Sequence, residues 1–112
     1  MLIDWERFKE TYQYYDKEVV VQIIDIFDSE FEDRFAKMKA SYSTRQLDDL
    51  RFQAHSLKGV VANFMAPEVY DLARQLEEQA KLGNVDGLDS LYVRLFEKAS
   101  QLRKELLEYR NL

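Results

Sequence analysis

Cysteine is absent from this 112-residue chain. That excludes a disulfide framework, a thiolate metal site and a cysteine nucleophile. Histidine occurs once, too rarely for zinc sites that need two or three imidazoles. Glycine occurs three times and proline once, where average usage at this length gives roughly 13 of the two together. So few breakers argue against turn-rich sandwiches and barrels, and for a few long helices. No apolar run exceeds three residues, so the sequence offers nothing to span a membrane. The opening Met1-Leu2-Ile3-Asp4 has neither the basic nor the apolar region of a secretory signal. Basic residues are in deficit: 16 Lys+Arg face 21 Asp+Glu, a net charge of -5. The basic footprint of a nucleic-acid binder is therefore missing. These absences lead to the expectation of one helical domain spanning 1–112, in a reducing, cytoplasmic setting.

What is present suffices for a core: apolar residues make up 46% and aromatics 13%. Asp4 is placed to cap a short first helix carrying Trp5, Phe8 and Tyr12 on one face. Trp5 and Phe8 read as core. Tyr14-Tyr15-Asp16 reads as a break, with Asp16 capping a second helix from about Lys17 to Ala40. Its stripe of Val20, Ile23, Ile24, Phe27, Phe31, Phe35 and Met38 repeats at helical period, opposite charged Asp25, Asp28, Glu32 and Arg34. Ser41-Tyr42-Ser43-Thr44 reads as a polar link. A third helix turns Leu47, Leu50, Ala54, Leu57, Val61 and Phe64 inward and ends near Met65, ahead of Pro67. Pro67 suits the first turn of a fourth helix, which buries Val69, Leu72, Ala73, Leu76 and Ala80 and closes at Gly83. Asp86 is the predicted cap of the last helix, with Leu88, Leu91, Leu95, Ala99, Leu102 and Leu106 inward. Four long helices on short links predict an all-α, antiparallel four-helix bundle, with the short N-terminal helix packed across one end.

The single histidine, His55, falls off the buried stripe of the third helix, on the solvent side. Lys58 at i+3 and Gly59 at i+4 lie one turn onward beside it. Glycine inside a helix costs about 1 kcal/mol against alanine, so its presence wants a reason. One reason is steric: without a side chain there, another protein can approach the ring. An imidazole in solvent is mostly neutral at pH 7 and a competent nucleophile. A lysine one turn on places positive charge where a phosphoryl group would sit. Exposure, nucleophile, cation and clearance together suit phosphoryl acceptance.

Ala54-His55-Ser56-Leu57-Lys58-Gly59 resembles the signature of histidine-containing phosphotransfer (HPt) domains of two-component phosphorelays. The resemblance continues through Ala62-Asn63-Phe64-Met65-Ala66, then Val69, Leu72 and Leu76-Glu77. Upstream it takes in Phe27, Phe31, Phe35 and Met38, and Gln46-Leu47-Asp48-Asp49-Leu50, so it runs from roughly Lys17 to Leu106. Val60 and Val61 replace small residues common in the family, and Met65 stands where glycine is usual.

The resemblance implies a phosphorelay intermediate, a carrier without catalytic machinery of its own. His55 would accept a phosphoryl group from an aspartyl phosphate on the receiver domain of a hybrid sensor kinase. It would then pass the group to an aspartate on a response regulator. No cofactor is implied for this chain, since Mg²⁺ would be held by the partner receiver. Lys58 would steady the phosphoryl oxygens. Arg51, Phe52, Gly59 and Ala62 share the His55 side of the third helix and would form the docking surface. Phe52 is either covered by the first or second helix or part of an apolar docking patch. Tyr12 and Tyr15 carry a similar ambiguity. The resemblance further implies a monomer, while the acidic charge and short apolar runs leave no nucleic-acid or membrane partner expected. Two alternatives share these residues: a helical interaction module of the same fold that passes no phosphate, and a chemotaxis-kinase phosphoacceptor domain. A di-iron carboxylate bundle needs paired Glu-x-x-His motifs, which one histidine cannot supply.

Overall fold

The computed structural model describes residues 1–112. Five helices follow in order: α1 (Trp5–Tyr12), α2 (Lys17–Ser43), α3 (Leu47–Val61), α4 (Pro67–Leu82) and α5 (Leu88–Arg110). A 3₁₀ turn, Ala62–Phe64, extends α3. There are no strands. Helices α2 to α5 run up and down on short links; α3 packs against α2 and α4, and α5 closes the ring onto α4 and α2. No helix is long and apolar enough to cross a membrane.

Each long helix buries the stripe its sequence announces. Val20, Ile24, Phe27, Phe31, Phe35 and Met38 of α2 meet Leu50, Ala54, Leu57 and Val61 of α3, Val69, Leu72, Ala73, Leu76 and Ala80 of α4, and the six inward residues of α5 in one core. Ile23 and Leu47 are only partly buried at its edge. Burying each large apolar side chain contributes about 1.5–3 kcal/mol, so this interior, rather than helix propensity, holds the bundle.

Helix α1 lies across one end. Asp4 Oδ1 accepts from the Arg7 amide at 3.2 Å, as the capping pattern predicts. Phe8 is buried, and Trp5 is partly so. Both rings pack on Tyr109 of α5, at 5.5 Å for Trp5 and 5.2 Å for Phe8. Tyr12 Oη donates to the Asn63 carbonyl at 2.8 Å, and the Asp4 amide donates to the Met65 carbonyl at 2.8 Å. These two bonds fasten α1 to the corner between α3 and α4. Tyr15 is largely exposed.

Three boundaries differ from the sequence expectation. Helix α2 continues past Ala40 to Ser43. Tertiary contacts carry the extra turn: buried Ser41 donates to Gln53 Oε1 at 3.1 Å, and the Tyr42 ring packs 5.0 Å from Tyr92. Asp86 does not cap α5; Gly87 occupies that position at φ 73°, a left-handed conformation that suits glycine. Helix α3 loses α geometry at Val61, and the 3₁₀ turn finishes the run to Phe64. Met65 then adopts φ 52° and ψ 48°, so a methionine makes the left-handed turn that favours glycine. Gly83 closes α4 as expected, at φ 70°.

Candidate functional site

Ala54 and Leu57 point into the core of α3, which leaves His55 and Ser56 facing outward between them. The His55 side chain is 70% exposed, yet its ring is held. Nδ1 lies 2.7 Å from Oε2 of Glu77 on α4. The other carboxylate oxygen, Oε1, accepts from Lys58 Nζ at 2.9 Å. Glu77 follows core residue Leu76 and sits one turn from buried Ala73 and Ala80, at the edge of the α4 stripe. That placement leaves the Glu77 side chain only 19% exposed, and the Lys58 side chain 20% exposed.

The electrostatics decide the proton arrangement. Burial alone would push the Glu77 carboxyl up. The hydrogen bonds and charges of Lys58 and His55 outweigh that burial and hold it below the ordinary carboxylate value. An ionised carboxylate only accepts, so the hydrogen between the two groups belongs to Nδ1 of His55. In a neutral ring Nε2 then keeps the free lone pair, on the side of the ring away from Glu77. The site thus presents an oriented nucleophilic nitrogen to solvent.

A shallow recess beside the ring is lined by Arg51, Phe52, His55, Glu77 and Lys81. Phe52 is 73% exposed, so neither α1 nor α2 covers it. Its ring also borders a second recess, against Glu30, Asp33, Arg34 and Lys37 of α2. Arg34 Nη1 donates to Ser56 Oγ at 2.9 Å and ties α2 to α3 beside that recess. Gly59 is exposed, and a Cβ built there meets nothing within 4 Å, so no neighbouring helix explains the glycine. Ala62 is exposed on the 3₁₀ turn, one turn beyond Gly59.

The structure brings His55 and Lys58 together through Glu77. Arg51 and Phe52 line the same recess as the ring, while Gly59 and Ala62 continue the open face of α3. Sequence reasoning named no partner for the second ring nitrogen, and it did not single out Glu77 or Lys81 as site residues. A signal existed for Glu77: it is the acidic residue at the edge of the α4 stripe, in a helix that packs on the histidine helix. Lys81 stands one helical turn after it.

Residues 22–111 match the family model described as Hpt domain. The match spans most of the chain, and the chain belongs to the Hpt domain family. Members of that family are phosphocarriers of two-component signalling rather than catalysts, and they interact with receiver domains. The crystal structure of histidine-containing phosphotransfer protein B (HptB) from Pseudomonas aeruginosa PAO1 is similar with a TM-score of 0.89. That match covers 98% of this chain and 95% of the other at 23% identity, and it speaks for the fold. No curated protein matches the chain by sequence.

Proposed function

We propose that His55 is the phosphoacceptor, receiving a phosphoryl group from the aspartyl phosphate of one receiver domain and passing it to an aspartate of another. The observation that carries this reading is the 2.7 Å bond from His55 Nδ1 to Glu77, which leaves Nε2 outward with its lone pair. Nε2 attacks phosphorus, the N–P bond forms, the acyl phosphate P–O bond breaks, and the aspartate carboxylate departs. The ring, still protonated at Nδ1, gains positive charge as it is phosphorylated, and ionised Glu77 sits against that proton. The same cationic ring is a good leaving group, so onward transfer needs no further acid. Mg²⁺ chemistry falls to the receiver in this reading.

Docking surrounds the ring. Phe52 offers an exposed aromatic face, Arg51 a charge, and Gly59 and Ala62 a stretch of α3 low enough for a receiver to approach. Incubating the wild type and His55→Gln with a panel of phosphorylated receiver domains tests the assignment. The wild type should acquire acid-labile, base-stable phosphate, and the variant none. Equal labelling of both proteins would remove His55 from the role. No labelling of either would favour a helical interaction module.

A further inference from the structure

In the antiparallel α3–α4 pair, the His55–Glu77 contact fixes the register. Arg51 stands one turn before His55 on α3, and Lys81 one turn after Glu77 on α4. That register sets the two cations level with each other, on the side of the ring away from Lys58. Both line the recess that contains the ring. Lys58 is engaged, with its ammonium on Glu77 at 2.9 Å. Arg51 and Lys81 are exposed and make no ion pair.

We infer that Arg51 and Lys81, rather than Lys58, meet the phosphoryl group once it sits on His55. The inference rests on the phosphoacceptor reading and divides the labour of the three cations. Lys58 leaving Glu77 would strip the partly buried carboxylate of its main counter-charge while the ring still needs that carboxylate ionised. Arg51 and Lys81 lose nothing but water when they turn toward a dianion. The planar fork of Arg51 can span two phosphoryl oxygens, and Lys81 adds a point charge from the opposite helix. The recess they share opens onto the same solvent that Nε2 faces.

The test needs no receiver. The protein is phosphorylated with phosphoramidate, and the ³¹P resonance of the phosphohistidine is followed against pH. Nearby cations favour the dianion, so removing one raises the midpoint of the last phosphoryl ionisation. Lys81→Gln and Arg51→Gln should each raise it by about 0.3–0.7 unit, a roughly two- to fivefold change typical of an exposed charge contact. Lys58→Gln should move it least. A largest shift with Lys58→Gln, or no shift with either recess variant, would overturn the division. Slower transfer from receivers with an unmoved midpoint would also overturn it, leaving the two as docking cations alone. Absence of phosphate on the wild type from any donor would instead bring down the phosphoacceptor reading, and this inference with it.

Discussion

His55 and Glu77 lie 22 residues apart in the sequence, and Nδ1 of one meets Oε2 of the other at 2.7 Å across the α3–α4 seam. The packing of two helices thereby sets the orientation of the imidazole. Core residues Ala54 and Leu57 fix the face from which His55 projects, and Leu76 and Ala80 fix the edge from which Glu77 answers.

Glu77→Gln tests the orienting role. The amide can still accept from Nδ1, but the negative charge that faces the phosphorylated, cationic ring is gone. Hydrogen bonds to charged groups contribute about 1.5–3 kcal/mol, so acceptance from phosphoramidate should slow by roughly tenfold or more. A rate identical to wild type would show that Glu77 merely anchors Lys58.

The same carboxylate predicts a pH dependence of stability. Folding holds Glu77 below its ordinary value of 4.5. A group depressed on folding stabilises the fold above its unfolded pKa and loses that contribution as pH falls through the folded value. Denaturant titrations at pH 7 and pH 3 should therefore show the stability gap between wild type and Glu77→Gln narrowing at pH 3. A gap that holds constant or widens contradicts the ion-pair geometry.

Gly59→Gln separates docking from folding. Open space around the missing Cβ means no clash, and glutamine is the better helix former. The variant should gain a few tenths to about 1 kcal/mol of stability while transfer from a phosphorylated receiver slows strongly. Its reaction with phosphoramidate should suffer less, since that donor needs no docked surface. A lowered melting temperature, or receiver transfer at the wild-type rate, counts against clearance as the reason for the glycine.

Phe52→Ala gives the complementary result. Truncating a core phenylalanine costs about 3–5 kcal/mol. This ring is solvent-exposed, and its loss should stay within about 0.5 kcal/mol. Receiver-driven transfer should fall more than phosphoramidate labelling does. A large loss of stability would mean that the ring is covered in solution.

Much of the fold was legible because each stripe repeats cleanly, and every buried residue predicted for α4 lies in the core. Each failure has an identifiable cause. Ser41 and Tyr42 look like a link, yet Gln53 and Tyr92 hold them in helix, and such partners are invisible to a local pattern. Asp86 looks like a cap, but the left-handed backbone at residue 87 gives the position to glycine. At the site, His55, Lys58 and Gly59 share one helix, and their spacing could be read directly. Glu77 comes from another helix, and only the packed register shows that its two oxygens serve two different side chains.

The central claim is that Glu77 holds the Nδ1 proton so that Nε2 takes the phosphoryl group. The chain has one histidine, so its ¹⁵N-labelled imidazole gives a single, assignable pair of ring nitrogens. Long-range ¹H–¹⁵N NMR before and after phosphorylation reads both nitrogens directly. The account predicts an Nδ1–H tautomer in the neutral resting ring, then a phosphorus-coupled Nε2 with Nδ1 still protonated. A resting Nε2–H tautomer, or phosphorus coupled to Nδ1, would contradict it.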